Sequence, residues 1–362
     1  MNARSVRPAP ERSLHTPTGE YRMQHHLLLH GPRRTLPLLT ALLLGCSLRL
    51  CPAAEPYKVL HVVQTPGTGG IDYVYADNSG AKLYVPRGSE ILAFDLETLK
   101  PAGSITNAKA RGVAVDPGSH HGFCSSSPVI MWDTATLARL KTIPIAGRPD
   151  SILFEPLTER VYVFSHAQPN VTILDGKTGT VAGTLDLGGE PEQGISDGQG
   201  HVYVALEDKN SVAVVDVKEL KVTARYDLGE KGGAPVGVAL DVANKVLFVF
   251  CRKPTNAVIL GADSGRILAV LPIGQGTDSG VFNATTKEAF SSQGDGTLTV
   301  IRETGPTQFE VAQTVRTKPK AKTCTLNTRK NEIILITTEP AAGAPAGGAG
   351  NASLLDIIVV GR

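Results

Sequence analysis

Polar residues able to hold a ligand recur along this 362-residue chain at near-constant spacing. Asp72, Arg111, Asp150, Glu192, Asp278 and Lys322 lie 39 to 44 residues apart once Val236, at the equivalent place between Glu192 and Asp278, is included. Carboxylates gathered on one axis could supply the roughly six to eight oxygens that Ca²⁺ takes. Arg111 and Lys322 interrupt such a set, and the plain alternative is a group of solvated loop ends with local salt pairs. No cofactor is therefore expected. A cation held by Asp150, Glu192 and Asp278 is the alternative, with Ca²⁺ the first ion to test.

Each of these positions stands five residues before a second recurrent residue: Asp77, Asp116, Glu155, Asp197, Asp241, Asn283 and Asn327. Those seven each end a short apolar run and open a turn. A residue type needed in every unit is structural, most simply a side chain bonded to its own turn backbone. A period of about 40 residues marks units that must stack to bury their faces. Within the unit, His201–Ala205, Ser211–Asp216 and Val222–Leu228 read as successive strands after the first. The last alternates polar and apolar, as an outer strand with one wet face should. Four strands per period of this length is the pattern of a propeller blade.

Seven such units follow one another, but the seventh is incomplete. Thr323–Leu326, Glu332–Thr337 and Leu354–Val360 supply three strands, broken by an Ala-, Gly- and Pro-rich insertion over Glu339–Asn351. Lys58–Gln64, spare at the other end, can complete that blade and remove an exposed edge. The sequence thus predicts an all-β fold over 55–362. It is a seven-bladed β-propeller of four-stranded antiparallel blades, closed by the N- and C-terminal strands in the last blade. Its channel mouth collects the ring described above. The loops joining second and third strands lie on the same face and add Arg87, His166, Asp208, Arg252 and Lys253. A concave mouth with convergent polar groups is the natural ligand site.

Residues 1–54 stand outside the repeat and read as an export segment. Leu36–Gly45 has the length of a signal h-region and is too short to span a bilayer. Met23 is an alternative start. Cleavage near Ala53 or Ala54 is the favoured reading; Leu43-Leu44-Gly45-Cys46 also resembles a lipobox, which would lipidate Cys46. Arg33-Arg34 is a weak twin-arginine signal. The cysteines that remain, Cys124, Cys251 and Cys324, fall in separate repeats and are expected to be buried free thiols. His120-His121 is expected in an exposed turn. Trp132 and Met131 are expected to pack between blades.

Balanced charge (36 basic, 34 acidic, net +2) and 5 % aromatic content give no basic groove or stacking platform for nucleic acid. No CxxCH motif marks haem attachment.

The repeat elements Leu83-Tyr84-Val85, Val161-Tyr162-Val163, Val202-Tyr203-Val204 and Leu247-Phe248-Val249 carry a family resemblance. So do Asp95, Asp133, Asp175 and Asp216 at third-strand ends. The chain from Tyr57 onward resembles the bacterial YVTN-type (YncE-like) β-propeller repeat proteins. None of its strands continues into Thr-Asn, and Gly261 and Arg302 replace the later third-strand acids. The resemblance implies an exported, non-catalytic binding protein, with a protein, peptide or polysaccharide as partner. A monomer is expected, and membrane contact only through a lipidated Cys46. Metal-dependent lactonases built on related propellers supply the competing expectation, a hydrolase using the channel carboxylates.

Overall fold

The computed structural model describes residues 55–305, 307–341 and 353–362. Residues 1–54, on which the expected export signal and Cys46 fall, and most of the Ala/Gly/Pro insertion lie outside the described residues. The remainder forms seven four-stranded sheets, every one antiparallel. Their innermost strands are Tyr75–Asp77, Val113–Asp116, Pro149–Glu155, Pro191–Ser196, Pro235–Asp241, Thr277–Asn283 and Cys324–Asn327, which define blades 1 to 7. The sixth blade, the least regular in sequence, is complete, and its two outer strands run for nine residues each.

Closure occurs where the sequence places it. Blade 7 runs Cys324–Asn327, Glu332–Pro340, Ser353–Gly361 and then Lys58–Gly67 from the other end of the chain. Lys58 pairs with Gly361 and Gly67 with Ser353, with one bulge between Val59 and His61. Tyr57 adds a side-chain lock, since its hydroxyl donates to Glu288 in blade 6 at 2.7 Å. The pairing covers the edge that Ser353–Gly361 would otherwise leave open.

The seven recurrent turn residues act on their own backbone. Asp77 accepts from the N–H groups of Ser79 and Gly80. Glu155 accepts from Leu157 and Thr158, Asn283 from Thr285, and Asn327 from Arg329. Asp116, Asp197 and Asp241 do the same for Gly118, for Gln199 and for Asn244. A short acceptor side chain that holds the next two or three amides ends the inner strand and turns the chain outward. Asp95, Asp133, Asp175 and Asp216 repeat the device at the ends of third strands.

Packing follows from strand position. Middle strands such as Val246–Arg252 are buried along nearly their whole length, whereas the outer strand Lys221–Asp227 alternates exposed and shielded residues. The core is a series of layers between neighbouring blades. Trp132 fills the layer between blades 1 and 2, edge-on to Tyr84 at 5.7 Å. It has room because residue 122 is glycine; a Cβ there would lie 2.2 Å from the indole. Met131 faces the opposite layer, between blades 2 and 3. Cys124, Cys251 and Cys324 are buried free thiols. His120 is an exposed turn residue, but His121 already belongs to the second strand, with Nδ1 3.2 Å from the Gly176 carbonyl.

Candidate functional site

The inner strands line the channel, and the ring residues stand at or within three residues of the start of each strand, at one end of that channel. Backbone bonds between blades set the ring there. The Arg111 carbonyl accepts from Tyr73 N–H, that of Asp150 from Ser125 Oγ, and that of Glu192 from Ser151 Oγ. The Lys322 carbonyl accepts from Ser292 Oγ and that of Asp72 from Thr323 Oγ1, so blade 7 is tied to blade 1 in the same way.

On this frame the side chains form an interlocked charge network. Arg111 reaches Asp72 at 2.9 Å and Asp150 at 3.2 Å. Lys322 lies 3.5 Å from Asp72 and also pairs with Asp278. Asp278 in turn pairs with Arg252, whose other nitrogen donates to Glu207 at 2.8 Å. His166 stands between Asp150 and Glu192, with Nε2 at 3.7 and 3.4 Å from their nearer oxygens. All eight residues selected from the sequence (Asp72, Arg111, Asp150, Glu192, Asp278, Lys322, His166 and Arg252) are therefore brought to one network.

Three details differ from the sequence reading. Asp278 does not join Asp150 and Glu192 in a metal-type cluster, because Arg252 and Lys322 claim both its oxygens; His166 takes its place. Arg87 is not at the mouth. It is buried, and its guanidinium donates to the carbonyls of Thr65 and Ser353, pinning the two closing strands. Glu207, not Asp208, meets Arg252. The 3₁₀ turn Glu207–Lys209 points Asp208 back to the Glu190 N–H at 2.6 Å.

Two further contributors are Tyr73 and Gln193. Each follows a ring residue directly, where the other blades carry Gly, Ser or Thr. The Tyr73 hydroxyl lies 3.1 Å from Glu192 and 3.4 Å from Asp150. Gln193 crosses to blade 6. Its Nε2 donates to the Gly280 carbonyl, and its Oε1 accepts from the N–H groups of Val238 and Gly280. Both side chains border a cavity of 420 Å³ along the channel, lined with inner-strand residues of every blade but the fifth. Blade 5 is shut out because its inner strand is wholly buried against blade 6, and Val236, the apolar ring position, is buried with it.

Electrostatically the mouth sets largely buried carboxylates against bases that stay partly exposed. Burial pushes Asp150 and Glu192 above the ordinary carboxylate range. The adjoining Glu192 carboxylate, then Asp150, raises His166 despite its burial. Tyr73 is held well above its usual value by burial and by the carboxylates it touches, so its hydroxyl stays a donor. Around Asp278 the opposite balance holds. Burial works against the cationic forms of Arg252 and Lys322, but the carboxylates around them together, Asp278 foremost, raise both.

No known protein family matches this sequence, and no curated protein does. Many solved structures share the fold. One is a crystal structure of the WD40 repeats of RRP9, with a TM-score of 0.66 at 11 % identity over 85 % of this chain and 98 % of that one. Another is U3-55K, with a TM-score of 0.65 at 11 % identity over 84 % of this chain and all of that one (100 %). Similarity at that identity establishes a WD40-like seven-bladed propeller and leaves function to the site itself.

Proposed function

We propose that this chain is an exported, non-catalytic β-propeller that binds its ligand at the channel mouth and on the surrounding loops. The observation that carries this reading is the mouth itself. Five carboxylates (Asp72, Asp150, Glu192, Glu207 and Asp278) alternate with Arg111, His166, Arg252 and Lys322 over a floor made by Tyr73 and Gln193. Such alternation suits a partner that carries amines and carboxylates close together. That chemistry belongs to a peptide or protein segment ahead of a neutral polysaccharide. The desolvated pairs give specificity more than affinity, since a wrong partner would strand a buried charge. The YVTN-type resemblance supports the same class, and the h-region before Cys46 supports export.

Arrayed synthetic peptides and oligosaccharides, probed with the purified chain, test the reading. Asp150→Ala, Glu192→Ala and Asp278→Ala are run beside it, with circular dichroism as the folding control. Wild-type protein should retain a subset that the folded variants lose. Equal retention by all three variants would move the site elsewhere. Turnover of lactones in a metal-dependent assay would replace the reading with the hydrolase. A mass spectrum of the mature amino terminus decides between cleavage near Ala54 and a lipidated Cys46.

A further inference from the structure

Asp150, His166 and Glu192 offer three ligand atoms within 4.8 Å of one another. We infer that this trio is a binding site for a divalent transition-metal ion of the Zn²⁺ type. The inference does not depend on what the mouth binds, because the metal alone is the probe.

The first argument is donor chemistry. One imidazole and two carboxylates suit borderline ions such as Zn²⁺; an all-oxygen ion such as Ca²⁺ has too few partners here. The second is spacing. Ligands about 2.0–2.2 Å from a tetrahedral zinc stand roughly 3.3–3.6 Å from each other. His166 Nε2 lies 3.4 Å from Glu192 Oε1 and 3.7 Å from Asp150 Oδ2.

The third argument is the state of Nε2. It is shut off from solvent and makes no hydrogen bond. An imidazolium meant only to bridge two carboxylates would close to about 2.7–2.9 Å on one of them. A buried nitrogen that instead stands back from two oxygens calls for a partner between them.

The surroundings prepare the two carboxylates. Arg111 takes Asp150 Oδ1, and Oδ2 faces His166 with only a long contact, 3.4 Å, to the Tyr73 hydroxyl. Tyr73 takes Glu192 Oε2, leaving Oε1 for His166. Outer contacts that fix one oxygen of a carboxylate and free the other are what a metal centre requires of its second layer of residues. Both carboxylate side chains are more than nine-tenths buried, so little water competes for them. Three protein ligands leave one position of a tetrahedral ion open, and a water or an oxygen of a docked ligand would complete it.

The test uses the full chain, stripped with a chelator and dialysed. Zn²⁺ is titrated calorimetrically, Co²⁺ by its visible d–d absorption, and bound metal is counted by mass spectrometry. One equivalent should bind to wild type, show the intense spectrum of tetrahedral Co²⁺, and raise the melting temperature. His166→Ala and Glu192→Gln should each lose that equivalent and the thermal shift. Tyr73→Phe should weaken binding about tenfold or more. His201→Ala removes an imidazole that is paired with Asp197 away from the mouth, and it should change nothing. The nearly isosteric Glu192→Gln reads the site even if His166→Ala does not fold. Wild type that binds no zinc, or variants that keep the equivalent, its spectrum and its thermal shift, would overturn the inference.

Discussion

Gln193 treats Gly280 as a neighbouring strand would, although 87 residues separate them. Its amide gives a hydrogen bond to the Gly280 carbonyl at 3.1 Å and takes one from the Gly280 N–H at 3.0 Å. A third bond, from Val238 N–H, makes the side chain a splice between blades 4, 5 and 6. The approach needs glycine at 280 for a second reason: a Cβ there would sit 2.0 Å from Phe250. The ring is therefore not symmetric. Blade 5 is drawn behind its neighbours, and Arg252, from the end of its second strand, reaches the mouth in place of Val236.

Gln193→Ala should then cost more than a surface substitution. It leaves two N–H groups and a carbonyl without partners at the edge of the cavity. An unmet polar group of this kind costs about 1–3 kcal/mol. A drop of that size is expected in a urea titration with an unchanged m-value. Gln193→Glu keeps the acceptor and loses the donor, and should fall between the two. A midpoint for the alanine variant equal to wild type would show that water replaces the splice at no cost.

The features legible in sequence were those repeated in every blade. The turn at the end of the inner strand needs an acceptor side chain, so Asp77 through Asn327 announce the period, and counting back from them finds the mouth. Features that occur once were hidden. Tyr73 and Gln193 differ from Ser151 and Thr323 at the same register by size, but whether a long side chain spans the channel depends on the width of the ring. Arg87 was misplaced for a similar reason. It sits at a loop position, yet the strands from the two chain ends close over it. The pairing of Asp278 with Arg252 and Lys322, and of His166 with Asp150 and Glu192, depends on side-chain reach between blades. Spacing along the chain does not encode that.

The turn residues make a direct comparison possible. Asn283 and Asn327 do the work of Asp with a neutral acceptor. Asp116→Asn should therefore be tolerated, whereas Asp116→Ala removes bonds to Gly118 N–H and Ser119 Oγ. A loss of about 1 kcal/mol or somewhat more is expected for alanine and a few tenths for asparagine. Chemical denaturation of the two variants checks the order. Equal losses would mean that the charge of Asp116, and not its geometry, matters.

The thiols give a test of packing that needs no substitution. Burial pushes Cys251 up to about 12 and raises Cys124 and Cys324 as well. Alkylation needs a thiolate and access to it. Iodoacetamide at mildly alkaline pH should leave the peptides carrying these three residues unlabelled in native protein and label them in urea. Rapid native labelling of Cys251 would show that the layer between blades 4 and 5 opens readily.

Acid should loosen the closure through Glu288. Its carboxyl is almost inaccessible and gathers hydrogen bonds from three side chains. The Tyr57 hydroxyl donates to it at 2.7 Å, Arg302 donates through Nη2 at 2.9 Å and Nε at 3.1 Å, and Arg362 at the chain end donates at 2.8 Å. Arg362 also lies over the Tyr57 ring, 4.3 Å from its centre, so residues flanking the two closing strands meet at this one acid. Burial pushes Glu288 up, but the hydrogen bonds from Tyr57 and Arg302 and the charge of Arg362 outweigh it, and the carboxyl is held below its ordinary value. A carboxyl that is more acidic folded than unfolded stabilises fully above its unfolded value, about 4.3 for Glu. That contribution disappears as pH falls through the lower, folded value. Glu288→Gln should thus melt below wild type at neutral pH, and the gap between them should narrow once the pH drops beneath about 4. Melting temperatures of both proteins across that range decide the matter. A gap of constant width would mean that the side chain's shape and neutral hydrogen bonds, rather than its charge, hold the closing strands together.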